Sequence, residues 1–151
     1  LCEAAAIAGK EEYLDSEKYE IRAWDWNRPG NIRPDIAFLN GLRRENPAMR
    51  RFTNLRFYNA WNDHILYYGR FSDDLANFLL FAVTLDPHNA QGADFEVPLW
   101  EFGLPDDATI EADDLVTGQP FAWHGKHHHM HLDPHQRPYM AWRLKPLGGR
   151  R

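Results

Sequence analysis

Residues 77–85 read Asn-Phe-Leu-Leu-Phe-Ala-Val-Thr-Leu and are closed by Asp86-Pro87. The run is too short for a buried helix, is rich in aromatic and aliphatic residues, and ends at a turn signal. It predicts a strand covered on both faces. Such a strand cannot lie at a solvated edge, so it needs hydrogen-bonding neighbours on both sides and a second layer above it.

Working outward, the flanking segments supply those neighbours. Leu55–Tyr58 and His64–Tyr68 predict two strands of a hairpin turning through Asn59–Asp63. Phe95, Val97 and Leu99 alternate with Asp94, Glu96 and Pro98, the period of a half-buried strand. Thr109–Val116, Pro120–Trp123, His127–Leu132 and Pro138–Leu144 extend the pattern, with Met140, Trp142 and Leu144 on one face. Seven or eight short strands separated by Gly and Pro turns, over roughly 100 residues, predict an antiparallel β-sandwich. A domain of that size buries roughly 60–65% of its unfolded surface and folds without crosslinks.

The pattern changes near residue 50. Residues 1–31 read as loop, with a Pro29-Gly30 turn. A helix follows, capped by Asn31 or begun by Pro34 in its first turn. Ile36, Leu39 and Leu42 form its apolar stripe, Arg43 and Arg44 suit the negative end of its dipole, and Asn46-Pro47 stops it. One amphipathic helix cannot bury its stripe alone. The expectation is that it packs on the sandwich or drives self-association. The predicted organisation is residues 1–50 as one unit and 51–151 as the sandwich.

Composition narrows the function classes. The net charge is -5, and the basic runs Arg43-Arg44, Arg50-Arg51 and Arg150-Arg151 are short, which argues against nucleic acid. No apolar run approaches the roughly 20 residues of a membrane helix. Cys2 is the single cysteine, so no internal disulfide forms, which favours a reducing compartment. The start lacks a basic n-region, an apolar h-region and an initiator Met, and predicts a chain that begins within a longer polypeptide.

Several residue groups are candidates for chemistry. His127, His129 and His131 fall on one face of a strand, a spacing that can share zinc, yet no Cys accompanies them and Asp133 is the nearest acid. A polar, solvent-facing edge strand is the favoured reading, and no metal is expected. A metal-binding protein would depend on His129. The doublets Asp73-Asp74, Asp106-Asp107 and Asp113-Asp114 read as solvated turns, because adjacent carboxylates diverge and do not form an acid–base pair. No nucleophile elbow, phosphate loop, dinucleotide fingerprint or zincin motif occurs. Glu11–Arg33 mixes Asp15, Glu17, Lys18, Tyr19, Glu20, Arg22, Asp25, Asn27 and Arg28 with Trp24 and Trp26. Sugar hydroxyls both donate and accept, and sugar rings stack on aromatic faces, so this mixture suits a sugar site; an ion-paired surface loop is the other reading.

Residues 12–26, Glu-Tyr-Leu-Asp-Ser-Glu-Lys-Tyr-Glu-Ile-Arg-Ala-Trp-Asp-Trp, resemble the α-1,4-glucan:maltose-1-phosphate maltosyltransferases (GlgE-type) of the α-amylase superfamily. So do residues 28–33, residues 42–47, Leu85–His88, Asp114–Gly118 and Leu132–Pro134. The resemblance implies that residues 1–50 are the loop after the eighth strand and the last helix of a (β/α)8 barrel, and that 51–151 are its C-terminal β-sandwich. It implies that Lys18 and Tyr19, with Glu17 beside them, line the maltosyl site. It further implies transfer of maltose from α-maltose 1-phosphate to the non-reducing end of an α-1,4-glucan, with retention through a glycosyl-enzyme intermediate. The catalytic carboxylates would lie upstream of Leu1, so no catalytic residue and no cofactor are expected in this chain. A cytoplasmic homodimer built through upstream regions is also implied. A non-catalytic carbohydrate-binding β-sandwich module is the alternative.

Overall fold

The structure is a computed structural model and describes residues 7–10 and 23–145. The chain falls into two compact units, Leu1–Arg43 and Arg44–Arg151. Glu17, Lys18 and Tyr19 lie outside the described residues.

Helix α1 spans Arg33–Glu45. Asn31 caps it, its Oδ1 accepting the Arg33 N–H at 3.1 Å, and Pro34 occupies the first turn, where a missing N–H costs nothing. Leu42 of the apolar stripe is buried, while Ile36 and Leu39 are 49% and 40% exposed. A short 3-10 helix, Pro47–Arg50, lies near the start of the second unit, which begins at Arg44. Three asparagines fasten it. Asn54 donates to Ala48 O at 2.8 Å and Phe71 O at 2.6 Å, Asn77 Oδ1 accepts the Ala48 N–H, and Asn77 Nδ2 reaches Asn46 Oδ1. Asn46 and Asn54 are buried, and these bonds satisfy polar groups that would otherwise be stranded.

Among the described residues eight strands follow: β1 Leu55–Phe57, β2 Ile65–Phe71, β3 Phe78–Thr84, β4 Gln91–Glu96, β5 Thr109–Asp114, β6 Gln119–His124, β7 His127–Leu132 and β8 Tyr139–Lys145. Six form one antiparallel sheet in the order β1-β2-β3-β8-β5-β6, and β4 with β7 forms a second, narrower layer. β3 lies inside the wide sheet, with Leu80 opposite Gly69 of β2 and Trp142 of β8. Its first five residues are buried, as a strand covered on both faces requires.

The core lies between the layers. From the wide sheet come Tyr67, Phe78, Leu80, Ala82, Ile110, Ala112, Trp142 and Leu144; from the narrow layer and its exit come Ala93, Phe95, Val97, Met130 and Leu132. Phe95 is the central contact. Its ring stacks on Trp142 with centroids 5.9 Å apart and planes within 5°, and meets Tyr67 and Trp123 edge-on. On the opposite face of β3, Phe81 stacks on Tyr68 at 5.2 Å. Gly69 permits a close approach in β2: a Cβ there would come within 2.7 Å of the Tyr58 ring. Tyr58 thereby reaches Phe78 and also donates to Glu101, which Arg56 pairs with. That cluster ties the 3-10 helix Leu99–Phe102 to the wide sheet.

Two expectations are corrected. Asn59–Asp63 is more than a hairpin turn. Ala60 bridges to Phe95, with Trp61 N–H donating to Asp94 O at 2.9 Å, so this segment adds a short third row to the narrow layer. The loop is long enough to cross between layers, and its backbone satisfies the free edge of β4. Second, Asp113 and Asp114 are not a solvated turn. They end β5, and their side chains are only 15% and 12% exposed. Asp113 pairs with Arg143 at 2.9 Å and Lys145 at 2.6 Å; Asp114 pairs with Arg137 and accepts the Val116 and Thr117 N–H groups. Cations 23 to 32 residues away make burial tolerable, and no local pattern signals them.

The Lys145 hydrogen bond, reinforced by Arg143, holds the Asp113 carboxyl below the usual range. Burial alone would raise Asp114, but the Arg137 bond and the Thr117 N–H bring it below its ordinary value. A depressed folded pKa contributes stability that is present above the unfolded value of about 3.9 and is lost as pH falls through the folded value. Asp114→Asn should lower unfolding stability at pH 7 by about 1–3 kcal/mol, and the gap to the native chain should narrow at pH 3. Urea unfolding at both pH values checks this; an unchanged gap would contradict it. Phe95→Ala should cost about 3–5 kcal/mol, read from the same unfolding curves.

Candidate functional site

Residues 23–33 form a turned segment whose polar groups hold one another. Asp25 begins it: its Oδ1 accepts the Asn27 N–H at 3.0 Å and its carbonyl accepts the Arg28 N–H. Gly30, at φ 78°, makes the left-handed turn that the Pro29-Gly30 signal anticipates. Asn31 Nδ2 donates back to Arg28 O at 2.6 Å. Arg33 organises the rest. Its Nη1 donates to Trp26 O at 2.7 Å and to Asn27 Oδ1 at 3.3 Å, and its guanidinium lies 5.8 Å from the Trp26 ring centre.

These residues enclose an open cleft of about 450 Å³ lined by Trp26, Asn27, Asn31, Arg33, Pro34 and Ala37. Trp26 is 56% exposed and Trp24 is also open to solvent. The cleft offers an indole face, two carboxamides and a guanidinium. Its lining holds no Asp, Glu, His, Cys or Lys. It suits recognition of a polar ligand rather than acid–base chemistry. Of the predicted constellation, Trp24, Trp26, Asp25, Asn27 and Arg28 fall together in this segment. Arg33 bounds the Glu11–Arg33 run without being one of the residues singled out within it. Its spacing of six and seven residues from Asn27 and Trp26 has no secondary-structure period, so only the folded turn reveals its role.

The histidine group separates by strand alternation. His127, His129 and His131 face outward from β7, whereas Met130 and Leu132 enter the core and His128 packs beside Phe95 and Trp123. His129 Nδ1 bonds Asp94 Oδ1 at 2.8 Å, and His127 stacks on Trp61. The others go elsewhere: His124 to Thr109 at 2.8 Å, His128 to Gly125 O at 2.9 Å, and His135 to His88 O. Among the described residues, no three His, Cys, Asp or Glu side chains converge on a metal position. No helix among them is long and apolar enough to cross a membrane.

The fold thus defines an antiparallel β-sandwich domain, preceded by a helix and a polar, aromatic cleft. Residues 57–143 match the family described as GLGE, C-terminal, and the chain belongs to that family. It is 58% identical over 148 residues to the alpha-1,4-glucan:maltose-1-phosphate maltosyltransferase of Cereibacter sphaeroides, covering 98% of this chain and 22% of that protein. The protein of the same name from Pseudomonas aeruginosa is 57% identical over 145 residues, 96% of this chain and 22% of its own length. The chain therefore spans about a fifth of the length of these curated relatives. A GH27 β-L-arabinopyranosidase from Geobacillus stearothermophilus aligns at TM-score 0.44 and 14% identity, over 63% of this chain and 21% of that one.

If Arg33 organises the 23–33 turn, Arg33→Ala should raise amide exchange of Asn27 and Arg28 severalfold and leave the urea midpoint of the sandwich unchanged. Hydrogen exchange on a peptide covering residues 23–33 reads this directly; unaltered protection there would show that the turn stands without Arg33.

Proposed function

We propose that this chain is the C-terminal part of a retaining maltosyltransferase, which moves maltose from α-maltose 1-phosphate to the non-reducing end of an α-1,4-glucan. The observation that carries the reading is the identity of 57–58% to relatives of that name across nearly the whole chain. In this reading residues 1–50 complete a (β/α)8 barrel whose active site sits at the C-terminal ends of its strands. Residues 51–151 are the appended sandwich. Lys18 and Tyr19, with Glu17 beside them, form one wall of the maltosyl pocket. The cleft of Trp26, Asn27 and Arg33 follows that wall in sequence, and its aromatic, hydrogen-bonding character supports sugar recognition.

Retention calls for a nucleophilic carboxylate and a separate acid/base carboxylate about 5–5.5 Å apart. The described carboxylates do not supply them. Asp113, Asp114, Asp86 and Glu101 are engaged in structural bonds. The catalytic pair would come from sequence outside these 151 residues. The whole enzyme would be a cytoplasmic homodimer joined through regions outside this chain.

The test uses the complete polypeptide that contains residues 1–151, with α-maltose 1-phosphate and maltohexaose. Phosphate release should accompany lengthening of the acceptor by two glucose units per transfer. Lys18→Ala and Tyr19→Phe should each reduce kcat/KM at least about tenfold, a loss of one good polar contact to substrate. Residues 1–151 alone should release no phosphate. No transfer by the complete protein, or turnover by 1–151 alone, would overturn the proposal.

A further inference from the structure

β7 leaves one edge of the narrow layer open. Val97 N–H donates to Lys126 O at 2.7 Å, which fixes the hydrogen-bonded pairs of the β4–β7 ladder as Phe95 with His128, Ala93 with Met130 and Gln91 with Leu132. On the far side of β4, Trp61 N–H donates to Asp94 O and Glu96 N–H donates to Asn59 O. The N–H and C=O groups of His127, His129 and His131 therefore point away from β4. Among the described residues no strand lies on that side, and no backbone hydrogen bond reaches those groups.

An unpaired strand edge is a template for another strand, and proteins guard such edges by shortness, Pro or fixed charge. The wide sheet does so: its edge strand β1 has 3 residues, and its other edge strand, β6, contains Pro120. β7 has 6 residues, His-His-His-Met-His-Leu, with no Pro, Lys, Arg, Asp or Glu. Met130 and Leu132 anchor it in the core. Its ends are also tied, by the Val97–Lys126 bond and by the bonds that Asp133 and Arg137 exchange. The open edge is thus held in place before any partner arrives, which lowers the cost of pairing.

The edge suits a strand of its own sequence. Antiparallel pairing about a two-fold axis at His129 sets His127 opposite the second copy's His131. It keeps inward residues inward on both strands, because the side-chain period is two. No fixed like charges meet. Each His129 stays bonded to its own Asp94 at 2.8 Å, so the imidazoles on the axis are each backed by a carboxylate. The same pairing brings Lys126, at one end of β7, towards the second copy's Asp133, at the other end, whereas parallel pairing would set like ends together.

We propose that the open edge of β7 pairs with β7 of a second copy of this chain, joining two narrow layers into one continuous sheet. So short an edge buries little beside the roughly 1,200–2,000 Å² of a stable interface, so the dimer is weak and depends on concentration. In a complete protein already paired elsewhere, this second two-fold contact would link dimers into larger assemblies.

The experiment is sedimentation velocity of the 151-residue chain over a wide concentration range at neutral pH. The native chain should pass from monomer to dimer as concentration rises. A first variant, His127→Lys with His131→Lys, sets like charges opposite each other across the axis and should raise the dissociation constant at least about tenfold. A second, His127→Lys with His131→Glu, makes the same positions complementary and should return it to within about threefold of native. Should either fail to fold, His129→Pro removes one outward N–H and no bond of the ladder, and should abolish the dimer. Hydrogen exchange supplies an independent reading: the N–H groups of His127, His129 and His131 should exchange fast in the monomer and be protected severalfold in the dimer. A chain that stays monomeric at every concentration overturns the proposal. So does a dimer that the first variant leaves intact, or one that leaves those N–H groups unprotected, which would move the contact to Ile36 and Leu39 of α1 or to the Trp61 face. Equal loss of association in both charge variants overturns the antiparallel pairing.

Discussion

Burial of β3 on both faces is the constraint from which the sandwich follows. Phe78, Leu79, Leu80, Phe81 and Ala82 are all withdrawn from water. A strand of this kind must give its backbone hydrogen bonds to neighbours on both edges, and β2 and β8 take them. One of its faces must also meet another layer. That layer is narrow, so its inward aromatic, Phe95, has to reach Tyr67, Trp123 and Trp142 on the wide sheet. Apolar area withdrawn from water in this way is worth about 25 cal/mol per Å².

A narrow layer has consequences for function. With two strands and the Ala60 bridge, it covers the core with one face and shows the other to solvent. The short segment that completes it also carries Trp61 outward, beside the histidines of β7. The edge that needed a hydrogen-bonding partner and the aromatic that faces solvent therefore come from the same few residues. The acidic pairs work differently. Asp113 and Asp114 are nearly buried and tied to cations from β8 and the loop before it, so they hold the wide sheet together and are unsuited to chemistry.

The strand content was legible because alternation survives in the residues themselves, as in Met140-x-Trp142-x-Leu144 and the unbroken run at 78–83; the Phe95-x-Val97-x-Leu99 alternation overran β4, which ends at Glu96 before the 3-10 helix that begins at Leu99. The α1 cap was legible for a similar reason, since Asn31 and Pro34 act within one turn of their own positions. Asn59–Asp63 was not, because a loop that crosses between layers has the composition of a hairpin turn. The Asp113-Asp114 pair was not, because its cations lie 23 to 32 residues away. At the candidate site, Trp24, Trp26, Asp25, Asn27 and Arg28 stood out by composition, while Arg33 joined them only through the folded turn.

From the sequence alone came the family, through residues 12–26 and the shorter matching stretches, and the β character of residues 52–145. Both depend on residue identity and local period, which a linear chain carries in full. The tertiary structure decided which strand lies beside which, that Phe95 joins the two layers, that adjacent aspartates are largely covered and ion-paired, and that Trp61 and His127 share one solvent-facing surface. Period tells a side chain which face it occupies, whereas its partner depends on register and crossing, which only the closed fold sets.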